Sequence, residues 1–121
     1  MKTIFIVDDS DTNLVVAKMA LGGRYKTLAM PSAARMFKIA EKIVPDLILL
    51  DVDMPEMDGF EAISILKSDE KLKSIPVVFL TAKYDAASET RGLELGALDF
   101  IHKPFSAPAL IKRIEAYCPA D

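Results

Sequence analysis

The sequence predicts an α/β fold in which five βα units form a doubly wound parallel sheet. Short apolar runs alternate along the chain with longer stretches of helical periodicity, which is the order of repeated βα units around a parallel sheet. The 121 residues, 51% of them hydrophobic, suffice for one core and are too few for two ordinary domains. We therefore expect one domain spanning residues 1–121.

Five strands are expected. Four of them are compact apolar runs at residues 4–7, 47–50, 77–80 and 98–101. The segment at 25–29 alternates polar with apolar residues, as expected of an edge strand that its neighbours cover less completely.

Each stretch between the strands has apolar residues at helical spacing, so each helix is expected to turn one face to the sheet. The residues expected on these faces are Leu14, Ala17 and Leu21; Met36, Ala40 and Ile43; Phe60, Ile63 and Leu66; Ala86, Thr90 and Leu93; and Leu110, Ile114 and Tyr117. Ser10 or Asp11 is expected to be the N-cap of the first helix, which Gly22 and Gly23 end, and Gly96 is expected to end the fourth.

Composition excludes several classes of function. The net charge is −3, with 15 basic and 18 acidic residues interspersed, so no basic patch is available for nucleic acid or an anionic membrane. A single cysteine, Cys118, permits neither an internal disulfide nor a thiolate zinc site, and fits a reducing compartment. The apolar run at 4–7 is too short for a signal peptide or a membrane span. We expect a cytoplasmic protein that contacts neither nucleic acid nor membrane directly.

Polar side chains follow the predicted strands at the points where they end. Asp8 and Asp9 follow the first strand, Asp51 the third, Thr81 the fourth, and Lys103 lies just beyond the fifth. The carboxyl ends of parallel strands meet at one edge of the sheet, where ligands bind, so we expect these side chains to converge. Three carboxylates held close together repel one another, so either one takes up a proton or a cation binds among them.

The donors at this edge favour magnesium, because Mg²⁺ prefers oxygen ligands and retains open positions for phosphate oxygens. Lys103 and Thr81, across from such a cation, could hold the remaining oxygens of a phosphoryl group. The set therefore suits phosphoryl transfer, with Asp51 as the best-placed nucleophile.

These residues resemble the CheY-like receiver domains of two-component response regulators, and the match runs through the whole chain. The family has four motifs at the strand ends, and all four occur here in order. They are Asp8-Asp9, the segment Leu-Leu-Asp-Val-Asp-Met-Pro-Glu-Met-Asp-Gly at 49–59, Thr81-Ala82, and Lys103-Pro104-Phe105. One such motif alone is weak evidence, whereas four in order are specific.

The resemblance implies a flavodoxin-like sheet of strand order 2-1-3-4-5 and a single receiver domain over 1–121. It implies that Asp51 accepts a phosphoryl group from phosphohistidine on a sensor histidine kinase or a phosphotransfer protein. The chain would be no enzyme beyond its own phosphorylation and dephosphorylation. The implied metal ligands are Asp9, Asp51 and the backbone carbonyl of Asp53, with Asp8 acting largely through bound water. The implied metal is Mg²⁺, for which Mn²⁺ can substitute.

The resemblance also implies how the signal leaves the site. Lys103 would pair with the phosphoryl group, and Thr81 would hydrogen-bond it and move toward Asp51. Phe100 stands at the position of the aromatic switch residue, whose ring turns inward as the threonine moves, and the bond between Lys103 and Pro104 is expected to be cis. The output would pass to a downstream protein or effector domain, with a phosphorylation-dependent dimer as one form.

Asp53 and Lys83 lie two residues beyond the acceptor and the threonine, positions that in the family flank the path of the hydrolytic water. We hypothesise that an ion pair between them partly covers Asp51 and lengthens the phosphorylated lifetime. The alternative is that Asp53, as a fourth acid, raises the affinity for the cation.

Three other interpretations remain open. The spacing of Asp51 and Asp53 matches the nucleophile and general acid of magnesium-dependent phosphatases of the haloacid dehalogenase type, although here the pair follows the third strand and precedes Pro55. A receiver-like module that is never phosphorylated is a second. In a third, the chain is the receiver part of a longer regulator. Taken singly, Asp8 could be a helix-capping acid and Phe100 a plain core residue, and only the combination favours a phosphoryl site.

Overall fold

The computed structural model describes residues 1–82 and 85–121 of the chain. Strands and helices alternate in the predicted order. The strands are β1 (Thr3–Val7), β2 (Lys26–Met30), β3 (Leu47–Leu50), β4 (Val77–Thr81) and β5 (Asp99–His102). The helices are α1 (Asp11–Leu21), α2 (Ala33–Ala40), α3 (Gly59–Ser68), α4 (Ala86–Glu94) and α5 (Ala107–Tyr117). These bounds confirm the five predicted βα units.

All five strands run parallel in one sheet of order β2-β1-β3-β4-β5, which confirms the predicted topology. The edge strand β2 is only partly buried, as its alternating sequence predicts, whereas β3 and β4 are fully buried. From β1 the chain continues to the edge strand β2 and then crosses to β3 on the other side of β1. The strand order therefore reverses between β1 and β3. The carboxyl ends of these two strands therefore border the crevice in which ligands bind in open α/β sheets.

Two apolar layers cover the sheet. The layer on one face packs against α2 and α3 and includes Phe79 and Phe100. The layer on the other face packs against α1 and α5 and includes Leu49 and Ile101. Burial of both faces explains why the central strands are continuous apolar runs rather than alternating ones.

The fourth helix buries residues other than those predicted. Ala86, Thr90 and Leu93 are exposed, and the buried residues of α4 are Ser88 and Gly92. In this helix, apolar residues at helical spacing do not mark the face that packs against the sheet. Because Gly92 has no side chain, the backbone of the helix itself approaches the sheet.

Two other predicted core positions are exposed. Ile43 is 40% exposed because α2 already ends at Ala40. Tyr117 is 37% exposed, and its hydroxyl donates a hydrogen bond to Oδ2 of Asp99 at 3.1 Å, while Cys118 next to it is buried instead. The remaining residues predicted for the inner faces of α1, α2, α3 and α5 are buried, which confirms those periodicities.

The predicted helix ends are confirmed. Ser10 is the N-cap of α1, where its hydroxyl accepts a hydrogen bond from the backbone N–H of Asn13 at 3.3 Å, and Gly22 is the C-cap. Gly96 follows the last turn of α4 with a φ of 114°, a conformation that favours glycine. In the described part of the chain, no helix combines the length and the apolar character needed to cross a membrane.

Candidate functional site

The ends of the strands bring the predicted side chains together at one edge of the sheet. The backbone N–H of Asp51 donates to the carbonyl of Val7 at 2.9 Å, and that of Lys103 donates to the carbonyl of Thr81 at 2.8 Å. Asp8, Asp51 and Thr81 are 2%, 5% and 0% exposed. The ladder of the sheet thus continues into the residues that form the site and fixes their backbone positions.

The ammonium of Lys103 contacts both buried carboxylates. Its Nζ is 2.5 Å from Oδ2 of Asp8 and 3.6 Å from Oδ2 of Asp51. The other carboxylate oxygen of Asp8 accepts a hydrogen bond from the backbone N–H of Ser10 at 3.0 Å. Charge-assisted contacts of this kind are strong where solvent is excluded, so the lysine offsets part of the cost of burying two negative charges. The sequence predicted a phosphoryl partner for Lys103 and missed its pairing with Asp8.

The Asp51 carboxyl has a raised pKa. Burial is the largest cause, and the charge of Asp8 adds to it, while the ammonium of Lys103 and a hydrogen bond with Thr81 counteract them in part. The balance raises the pKa of Asp51 from 3.8 to about 6. The Asp51 carboxyl therefore keeps its proton to a higher pH than an ordinary aspartate does.

Three carboxylates at this edge can act on one cation. Asp8, Asp9 and Asp51 each offer one oxygen, and the three oxygens lie within 4.8 Å of one another. Asp9 is exposed and the other two are buried, so the cluster is reached from solvent on the Asp9 side. The oxygen-only donor set fits Mg²⁺, and a divalent cation would relieve the repulsion between these carboxylates.

Phe100 is buried in β5. Its ring centroid is 5.7 Å from that of Phe79 and 5.6 Å from that of His102. The ring is thus packed inside the chain without a phosphoryl group, and its action as a switch stays a prediction. The peptide bond between Lys103 and Pro104 is cis, as predicted.

The remaining predicted site residues lie around the loop after β3 and the loop after β4. Asp53 is exposed, and the role of its backbone carbonyl as a metal ligand stays a prediction. Lys83 lies outside the described residues, and so does the ion pair hypothesised between Lys83 and Asp53.

Gly59, the first residue of α3, is not among the predicted site residues but lies against one of them. A methyl group at this position would lie 2.4 Å from the carbonyl oxygen of Asp51 and 2.9 Å from Cα of Val52. Asp58 and Glu61 form a capping box at the same helix end, and their spacing is the signal that could have located it. The absence of a side chain at Gly59 lets α3 begin directly against the backbone of Asp51.

Replacing Gly59 with alanine is expected to lower the free energy of unfolding by about 2–3 kcal/mol, because the Asp51 backbone must move to admit the methyl group. Gly23→Ala is the matched control, since a methyl group there would have no atom within 4 Å. The control is expected to leave the stability unchanged or raise it by up to about 1 kcal/mol. Urea unfolding of both variants checks this, and equal stability of the two would contradict the packing argument.

Comparison with known proteins agrees with this geometry. The family model of the response regulator receiver domain matches residues 4–115. A probable cyclic di-GMP phosphodiesterase of Vibrio cholerae is 40% identical over 115 residues, which are 95% of this chain but only 26% of that protein. The polar-differentiation response regulator DivK of Brucella ovis is 34% identical over 117 residues, which are 96% of this chain and 95% of that protein.

Solved structures share the fold. The chemotaxis protein CheY4 of Vibrio cholerae is 26% identical and superposes with a TM-score of 0.91 over 97% of this chain and 98% of that one. The receiver domain of the sensor histidine kinase PA1611 of Pseudomonas aeruginosa has a magnesium ion in its active site cleft. It is 25% identical, with a TM-score of 0.86 over 96% of each chain. The response regulator Rcp1, solved with Mn²⁺ bound, is 25% identical, with a TM-score of 0.83 over 97% of this chain and 94% of that one.

Proposed function

The chain belongs to the response regulator receiver domain family, and from this premise we propose that it accepts a phosphoryl group on Asp51 and signals through the resulting change in shape. One observation carries the proposal. Asp51 is a buried carboxylate that lies 3.6 Å from the ammonium of Lys103 and shares a cluster of carboxylate oxygens with Asp8 and Asp9. A nucleophile, a cation for the phosphoryl oxygens and a set of metal donors are thus within reach of one point.

We infer that a divalent cation, Mg²⁺ with Mn²⁺ as a substitute, binds beside Asp51. Asp8, Asp9 and Asp51 would hold it together with the backbone carbonyl of Asp53. When bound, it neutralises negative charge on the phosphoryl oxygens. The close carboxylate oxygens support this assignment, as does the presence of Mg²⁺ and Mn²⁺ in two related receiver structures.

The proposed transfer begins with attack of an Asp51 carboxylate oxygen on the phosphorus of a phosphohistidine. A P–O bond forms as the P–N bond breaks, and the leaving imidazole keeps the electron pair and takes up a proton. Lys103, whose Nζ is 3.6 Å from Asp51, pairs with one phosphoryl oxygen, and the buried hydroxyl of Thr81 donates to another. The donor would be a sensor histidine kinase or a phosphotransfer protein, and the output would pass to a downstream protein, an effector domain or a phosphorylation-dependent dimer.

Residues 1–121 act as a single receiver domain in this proposal. The two curated relatives differ in context, since the match covers nearly the whole of DivK but about a quarter of the phosphodiesterase. A stand-alone regulator and the receiver part of a longer protein are both compatible with this family. A cytoplasmic location is part of the proposal and is supported by the single thiol, Cys118, because exported domains of this size commonly have disulfides.

The experiment is to incubate the protein with acetyl phosphate, with Mg²⁺ or with a chelator, and to measure its intact mass. One phosphoryl adduct is expected with Mg²⁺ and none with the chelator. A parallel assay with p-nitrophenyl phosphate is expected to show no sustained turnover. Turnover of the ester would favour a phosphatase instead, and the absence of an adduct on folded protein would favour an interaction module that is never phosphorylated.

A further inference from the structure

The ring of Phe79 in β4 lies between two helices that each turn a glycine to it. A methyl group at Gly59 in α3 would lie 2.9 Å from Cε1 of the ring, and one at Gly92 in α4 would lie 3.0 Å from both Cδ2 and Cε2. Both distances are shorter than ordinary van der Waals contact between carbon atoms. At these two glycines the helix backbones therefore approach the fully buried ring directly.

The α3 side of this contact continues to the acceptor. Gly59 lies against the carbonyl oxygen of Asp51, and its backbone N–H donates to the carbonyl of Val52 at 2.8 Å. Phe60, the next residue of α3, packs edge-on against Phe79 with ring centroids 5.6 Å apart. The start of α3 is thus fixed to the backbone of the acceptor loop and to the ring together.

The α4 side of the contact rests on small residues. Within the described chain, Ser88 and Gly92 are the residues that α4 buries, and a methyl group at Gly92 would also lie 3.3 Å from Cδ2 of Phe100. Arg91 contacts α3 as well, with its guanidinium carbon 4.5 Å from the centroid of the Phe60 ring. The position of α4 over the sheet therefore depends on how closely Gly92 approaches Phe79 and Phe100.

The backbone of Gly92 does not itself require glycine. The residue lies inside a regular α-helix, where alanine is the more favourable residue. The close packing on the two phenylalanine rings is what accounts for a residue without a side chain at this position.

We propose that Phe79, held between Gly59 and Gly92, couples the acceptor loop to α4 by direct packing. The inference rests on the proposed function and adds to it a route that does not pass through Thr81. A movement of the Asp51 backbone displaces the start of α3, and the Phe79 ring follows because a close-packed interior leaves it no free space. Gly92 and α4 then move with the ring.

The test compares Gly92→Ala with wild type and with Gly23→Ala, the same substitution at a position with no atom within 4 Å. Coupling between two sites is measured as the response at one to a change at the other. The readouts are the rate of labelling by acetyl phosphate and the amide chemical shifts of α4 on adding Mg²⁺ and beryllofluoride, a stable mimic of the phosphoryl group. Gly92→Ala is expected to label within about twofold of the wild-type rate, with the α4 shift changes at least about halved.

Two further variants keep the proposal testable if Gly92→Ala folds poorly. Phe79→Leu is expected to fold, to be labelled, and to show the same weakened response of α4. Gly92→Ala is expected to lower the thermal midpoint, because its methyl group would lie 3.0 Å from the Phe79 ring. Adding Phe79→Leu is expected to recover part of that loss, because the smaller side chain admits the new methyl group.

The outcomes separate this inference from the function on which it rests. The coupling would be overturned, with the proposed function intact, if α4 in Gly92→Ala responded as in wild type. In that case the thermal midpoint would rise by about 2–4 °C, as it does when alanine replaces a helical glycine without close neighbours. A wild-type protein that takes up neither a phosphoryl group nor beryllofluoride would overturn both.

Discussion

Replacing Lys103 with methionine is expected to lower the free energy of unfolding by about 3 kcal/mol at pH 7 in metal-free buffer. The substitution keeps most of the apolar length of the side chain and removes the ammonium that lies 2.5 Å from Asp8 and 3.6 Å from Asp51. Two buried carboxylates then face each other without their cation. Urea unfolding with a chelator and with Mg²⁺ measures the effect, and Mg²⁺ is expected to stabilise the variant more than the wild type.

Lys112→Met is the matched control for this experiment, because Lys112 is an exposed residue of α5. It is expected to change the stability by less than about 0.5 kcal/mol. Labelling by acetyl phosphate is expected to fall at least about tenfold in Lys103→Met and to be unchanged in the control. Equal stability of the two variants, with or without metal, would show that the lysine does not offset the buried charges.

Replacing Asp51 with asparagine is expected to raise the free energy of unfolding at pH 7 without metal by about 1–3 kcal/mol. The pKa of Asp51 is about 6 in the folded protein, above the ordinary 3.8, so the folded state binds this proton more tightly than the unfolded state does. The resulting stability is fully present below about pH 4 and is lost as the pH rises through about 6. Asparagine cannot ionise and avoids that loss.

The measurement is urea unfolding between about pH 4 and pH 7 in the presence of a chelator. Wild type is expected to lose more stability over this range than Asp51→Asn does. Asp11→Asn, which neutralises an exposed acid in the first turn of α1, is the control and is expected to keep the wild-type slope. A slope in Asp51→Asn as steep as that of wild type would mean that Asp51 is not the group that titrates near pH 6.

The sheet and the edge that contains the site could be predicted because they follow from local patterns. Apolar runs give the strands, and parallel topology places whatever follows each run at one edge. For that reason the convergence of Asp8, Asp51, Thr81 and Lys103 could be predicted from the sequence alone. The topology fixes the backbone position of each residue at that edge. The side chains are too short or too closely packed to reach another part of the molecule.

Contacts that depend on fine geometry could not be predicted. The pairing of Lys103 with Asp8 depends on a side-chain rotamer, and the sequence pattern of the strands does not specify it. The buried face of α4 was predicted wrongly because the helix packs through Gly92, and hydrophobic periodicity gives no weight to a residue without a side chain. Gly59 shows the same limit. A glycine after Asp58 indicates a turn, but it does not indicate how closely that glycine approaches the carbonyl oxygen of Asp51.

Asp51 is the carboxylate proposed to take the phosphoryl group, and identification of the modified residue is the decisive experiment. Protein labelled by acetyl phosphate in Mg²⁺ is reduced with borohydride, which converts an aspartyl phosphate to homoserine, and the peptides are sequenced by mass spectrometry. Homoserine is expected at position 51, with unmodified aspartate at Asp8, Asp9 and Asp53. Homoserine at any of those three positions, with Asp51 intact, would contradict it.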